Sequence, residues 1–96
     1  MACYLIGCKL TSPGRDYREL FDAVENLGNT FHCLNATWVV NTQKTAAEIR
    51  DELKPLINQN DDLLVAELTG RAAWRGAGTS FSTRLPSVLS PQRRQF

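Results

Sequence analysis

Two segments, Cys3-Tyr4-Leu5-Ile6-Gly7-Cys8-Lys9-Leu10 and Leu63-Leu64-Val65-Ala66-Glu67-Leu68, are apolar at nearly every position rather than at every second one. They have the length of strands, and successive side chains on a strand point to opposite faces. A strand apolar in both alternating sets reads as buried on both faces, so its sheet needs cover on both sides. Any fold for this chain has to supply two covering layers.

The residues between these runs supply one of them. Thr11-Ser12-Pro13-Gly14 ends the first strand in a turn. Asp16 stands at an N-cap position with Glu19 three residues on, a variant of the capping box. Tyr17, Leu20, Phe21, Val24 and Leu27 follow at helical spacing, and Gly28-Asn29 reads as a left-handed stop. Thr30–Leu34 and Thr37–Asn41 are rich in β-branched and aromatic residues and read as two strands joined at Asn35-Ala36. Thr45-Ala46-Ala47-Glu48 is a second capping box, opening a helix with Ile49, Leu53, Leu56 and Ile57 on one face. Pro55 should end its regular hydrogen bonding. Asn58-Gln59-Asn60-Asp61 reads as a loop before the last strand.

The order strand, helix, strand, strand, helix, strand predicts a ferredoxin-like βαββαβ sandwich of the α/β (α+β) class, spanning residues 1–75. Two helices cover one face of the sheet. At 96 residues the chain has a modest core of its own, and the expected cover for the other face is a second copy of the chain. Residues 76–96 mix Gly, Ser, Thr and Pro with scattered apolar residues and read as a basic, partly extended tail. Phe81–Leu85 is a candidate for a short added strand at a sheet edge.

Charge divides along the same boundary. Residues 1–70 carry six basic side chains against all ten acids, whereas residues 71–96 carry five arginines and no acid. An acidic body with a basic end points to a nucleic acid, an acidic protein surface or self-association of the two parts. The overall net charge of +1 favours a protein partner mildly, because free nucleic-acid binders are usually strongly basic. No apolar run approaches the ~18 residues of a membrane span, and Met1–Leu10 lacks the basic region and cleavage site of a secretory signal. Three cysteines without zinc spacing fit a reduced, cytoplasmic chain.

Several motifs together resemble one family. Tyr4–Leu10 followed by Ser12-Pro13-Gly14 and a helix, the stretch Phe31–Val40, the helix start Ala46-Ala47-Glu48-Ile49-Arg50, and Asp62–Leu68 are similar to the CRISPR-associated spacer-acquisition nuclease and its relatives. Virulence-associated protein D belongs to the same broader group. The likeness covers about residues 2–74 and leaves the C-terminal segment unmatched. It implies a ferredoxin-like homodimer packed sheet to sheet, with an aspartate at the end of the first strand of each copy holding a divalent metal for phosphodiester cleavage. Lys9 stands at that position here. An ammonium repels a hard cation rather than ligating it, so the resemblance implies a non-catalytic member, with no metal and no cofactor.

The candidate binding residues are Lys9, Arg71, Trp74, Arg75, Arg84, Arg93 and Arg94. Lys9 reads either as a phosphate or carboxylate contact or as a rim residue with its methylenes on apolar surface; the second is favoured. Arginines beside Trp74 suit a phosphate and a stacked base, and equally suit packing of the indole on the open sheet face. Arg93 and Arg94 read as a solvated end. His32 beside Cys33 is a poor catalytic pair, because strand neighbours face opposite ways. Cys3, Cys8 and Cys33 do not converge on zinc with His32 in this topology. The acids of both helices read as solvated faces. The expected partners are therefore a second copy and a host protein, with a nucleic acid as the alternative and a nuclease with other ligands as the weakest reading.

Overall fold

The computed structural model describes residues 2–11, 17–75 and 80–89, with the side chains of residues 80–82 left aside. Its elements are β1 (Ala2–Lys9), α1 (Arg18–Glu25), β2 (Asn29–Leu34), β3 (Thr37–Thr42), α2 (Ala46–Leu53), β4 (Asp62–Leu68) and α3 (Ser80–Leu89), with a 3₁₀ turn over Lys54–Leu56. The strands form one antiparallel sheet in the order β2-β3-β1-β4. Element order and strand order together make a ferredoxin-like α/β sandwich, extended by α3.

Alternation along β1 sorts the two faces. Tyr4 and Ile6 join Trp38 and Val40 of β3, Leu20, Val24 and Leu27 at α1, and Ile49 and Leu53 of α2 in the larger core. Ile6, Leu20, Val24, Trp38, Val40, Ile49 and Leu53 are fully enclosed. Burying such side chains stabilises by roughly 1.5–3 kcal/mol each, which makes this face the main source of stability.

Local signals hold where they are self-contained. Thr45 caps α2: its side chain accepts from Glu48 N–H at 3.1 Å while Glu48 Oε1 accepts from Thr45 N–H at 2.8 Å. Pro55 falls in the 3₁₀ turn, where regular helix has ended. The Asn35-Ala36 turn joins β2 to β3, with a register irregularity between His32 and Leu34.

Other expectations are corrected. The N-cap position of α1 falls on Tyr17, with no side-chain cap; Asp16 and the Pro13-Gly14 turn lie outside the described residues. Gly28 is not a left-handed stop, since among the described glycines only Gly70 has a positive φ, 95°. Gly28 is required for proximity instead: a Cβ there would lie 2.3 Å from the Asn41 carbonyl oxygen. Leu63–Leu68 is a strand, but it lies at the sheet edge and is not buried on both faces, with Leu64 59% exposed.

The largest correction concerns the second face. The segment expected as a partly extended tail is helical over Ser80–Leu89, so the added strand at Phe81–Leu85 does not form. Leu85, Val88 and Leu89 pack on Cys3, Phe31 and Val39, with Cys33 and Leu68 at the margin. Over that area the cover is the chain's own α3, where a second copy was expected. A helix buries an i, i+3, i+4 stripe without needing free strand edges, and Leu85, Val88 and Leu89 have that spacing.

Candidate interaction surfaces

The helix α3 is fastened at both ends of its described part. Arg84 donates from Nη2 to the Thr30 carbonyl oxygen at 2.9 Å, and its guanidinium lies 5.4 Å from the centre of the Phe31 ring. Near the other end the Val88 carbonyl accepts from Asn41 Nδ2 at 3.3 Å and from Cys3 Sγ at 3.5 Å. Last-turn carbonyls lack partners within a helix, so these two sheet groups do what a cap would do. Arg84, expected as a binding residue, therefore fastens α3 to the edge strand.

The part of the second face that α3 leaves uncovered lies along β1 and β4. Leu5, Gly7 and Lys9 share a face with Cys3, and Leu64 of β4 is opposite Gly7 while Ala66 is opposite Leu5. Leu5, Gly7 and Ala66 are half-buried, whereas Leu64 and Lys9 are exposed. Lys9 stands opposite Asp62, so the strip has an apolar middle and a rim bearing both charges.

Arg71, Trp74 and Arg75 lie on a segment without helix or strand and are exposed, Trp74 by 38%. Leu68, from which this segment leaves, pairs with Cys3, at the far end of β1 from Lys9. Six residues of strand separate them by roughly 20 Å. Lys9 and the Arg71–Arg75 segment are therefore not drawn from one end of the sheet. Arg93 and Arg94 lie outside the described residues.

The cysteines divide between the faces. Cys3 and Cys33 belong to the α3 side and Cys8 to the side of α1 and α2. Burial pushes the Cys3 and Cys8 thiols up to about 11, and also raises that of Cys33. Thiols so raised are poor nucleophiles near neutral pH. Cys33 Sγ donates to the Thr37 carbonyl at 3.4 Å, while the His32 ring stacks on Trp38 at 4.6 Å between centroids. Phe21 meets both rings edge-on. His32 Nε2 lies 2.7 Å from the Asn35 carbonyl, which can only accept, so Nε2 carries the proton. Among the described residues no three His, Cys, Asp or Glu side chains gather where they could hold a metal ion.

One polar centre gave no sign in the sequence beyond an acid in a loop. Asp61 is 8% exposed and accepts from Thr11 N–H at 2.8 Å, Thr11 Oγ1 at 2.9 Å, Tyr17 OH at 2.8 Å and Asn58 N–H at 2.9 Å. Burial alone pushes its carboxyl up, but the two backbone donors and two hydroxyls outweigh burial and bring it to about 2. Its oxygens are committed to tying the β1–α1 connection to the loop before β4. The usable signal was Asn58-x-x-Asp61, a spacing at which a carboxylate accepts from a backbone N–H three residues before it.

Two depressions are lined by described residues. One, of about 430 Å³, is lined by His32, Cys33, Leu34 and Asn35 at the hairpin. The other, of about 450 Å³, runs along Lys54, Pro55, Ile57, Asn58, Gln59 and Asp61. Neither offers an activated nucleophile.

No family model, no curated protein and no solved structure matches the chain. Among the described residues no helix is long and apolar enough to cross a membrane.

Proposed function

We propose that this is a non-catalytic interaction protein of the CRISPR-associated nuclease-like fold, a cytoplasmic homodimer from a phage or mobile element that binds a host protein. The observation that carries the reading is Leu64, a large apolar side chain 59% exposed on an edge strand, beside the half-buried Leu5, Gly7 and Ala66. An apolar strip left open on a sheet face is the kind of surface a protein partner buries. The Lys9–Asp62 rim suits a two-fold contact, in which each copy's lysine meets the other's aspartate. Lys9 in the place of a metal-binding aspartate supports the non-catalytic part of the reading.

The test is light scattering over a concentration series, with the wild type and Leu64→Asp. A dimer that the substitution dissociates, with helical content unchanged, bears the reading out. A wild-type monomer at all concentrations sinks the homodimer.

A second reading, a nucleic-acid-binding dimer, is favoured by Trp74 lying exposed between Arg71 and Arg75 with no acid from residue 71 onward. Gel shifts with duplex DNA, single-stranded DNA and RNA at low and physiological salt distinguish the two. Phosphate contacts weaken steeply with salt because counterions are released, whereas an apolar protein contact does not. A salt-sensitive shift abolished by Trp74→Ala would replace the protein-partner reading with this one.

A further inference from the structure

The two edges of the sheet are finished differently. Strand order makes β2 one edge and β4 the other. On β2 the register is irregular between His32 and Leu34, and Arg84 occupies the Thr30 carbonyl. An interrupted edge with a carbonyl already taken is a poor template for another chain.

β4 has no such device. Its seven residues pair with β1 without a break, from Asp62 opposite Lys9 to Leu68 opposite Cys3. It contains neither proline nor glycine. Among the described residues, the main chain of 62–68 makes no hydrogen bond outside that ladder. An antiparallel strand commits the N–H and C=O groups of alternate residues to one neighbour, so the remaining groups of β4 point outward. Groups in that position are satisfied by water or by an added strand.

The side chains along this edge choose the occupant. Leu64, 59% exposed, and Ala66, half-buried, share one face, which suits apolar residues two apart on an incoming strand. Glu67 is exposed on the other face and stands opposite Tyr4, whereas Asp62 stands opposite Lys9. β4 thus holds two acids and no base, and among the described residues neither acid forms an ion pair. A second copy of β4 laid alongside would add acids to acids. A base across from Glu67 is favoured instead, because opposite charges on facing strand positions attract and like charges repel.

We infer that β4 accepts a fifth strand: an extended segment of a protein partner, antiparallel to β4, with apolar residues facing Leu64 and Ala66 and a lysine or arginine facing Glu67. The inference rests on the protein-partner reading and gives that partner's segment its chemistry. The homodimer uses the sheet face, and this site is the sheet edge.

The probe is a blocked peptide reading lysine, valine, threonine, valine, threonine, serine. In that register the lysine lies across from Glu67 and the valines across from Ala66 and Leu64. Binding to the full chain is followed by fluorescence anisotropy, beside a copy with glutamate for lysine and two copies N-methylated on one or the other alternating set of amides. One methylated set should weaken binding about tenfold and the other little, because only one set faces β4. Glutamate for lysine should weaken it about fivefold, and Glu67→Lys should reverse that preference. Amide exchange should slow in residues 62–68 and not in β2.

No saturable binding at about 1 mM peptide overturns the inference. So does an equal effect of the two methylated sets, or a preference for lysine that Glu67→Lys leaves unchanged. Peptide binding that dissociates a dimer would make the edge the dimer contact, and overturns it too. Failure of the protein-partner reading would show separately, as the salt-sensitive nucleic-acid shift abolished by Trp74→Ala.

Discussion

The hydroxyl of Tyr17 donates to Oδ2 of Asp61 at 2.8 Å, joining the first helix to the loop before the last strand. Asp61 also receives Thr11 and Asn58, so one carboxylate fastens three points of the chain at the end of β1. The sheet rim near Lys9 takes its shape from this centre.

That centre makes stability depend on acid. The folded carboxyl titrates at about 2 against an ordinary 3.8, so the folded state binds the proton less readily than the unfolded one. The stability conferred by Asp61 is present above 3.8 and is lost as pH falls through about 2. Asp61→Asn should melt lower at neutral pH and lose less on acidification across that window. Thermal melts from pH 7 down to 2 check it; parallel curves for the two proteins would show that Asp61 does not set the acid limb.

Gly28 has no room for a side chain. A Cβ would meet the Asn41 carbonyl oxygen at 2.3 Å, a backbone atom that moves only with β3. Gly28→Ala should cost about 1–3 kcal/mol, as overpacking does, read as a lower urea midpoint with an unchanged slope.

The Thr45 cap can be weighed separately. Thr45→Ala removes the side-chain half of the capping box and should cost about 1 kcal/mol, visible in the urea midpoint. Because the site is exposed, Thr45→Ser should restore most of the loss. A full loss in Thr45→Ser would point to the methyl group rather than the cap.

Exposed Leu64 and buried Ile6 should part company. Ile6, fully enclosed, should cost about 2–5 kcal/mol on substitution by Ala. Leu64→Asp at low protein concentration should change stability by less than about 0.5 kcal/mol, since little of Leu64 is buried in one chain. A large loss at Leu64 would show that it is packed after all, and would remove the candidate strip.

Much of the first layer was legible from short-range pattern. The Thr45–Glu48 box, the Pro55 stop and the stripe Leu20, Val24, Leu27 depend on neighbours within a turn or two, and the structure has them as expected. The apolar run of β1 pointed to cover on a second face, which α3 supplies over Cys3, whereas the run of β4 leaves Leu64 exposed; composition could not say what the cover would be. Gly76 and Gly78 before Phe81–Leu85, Ser80 and Ser87 flanking it, and Pro86 after it argued against a helix, yet Leu85, Val88 and Leu89 belong to one that packs on the sheet. Arg84 looked like a free cation until Thr30 and Phe31 were placed under it.

The sequence by itself determined the order of elements from β1 to β4, the α2 cap and the main core, because helix and strand periodicities are written within a few residues. Tertiary structure alone decided what lies on the second face, that β4 is an edge, and that Asp61 is a brace. Those outcomes rest on pairs far apart in the chain: Cys3 with Val88, 85 residues apart, Arg84 with Thr30, 54 apart, and Tyr17 with Asp61, 44 apart. No local pattern encodes such a pair; it exists only when the sheet has brought both partners to the same place.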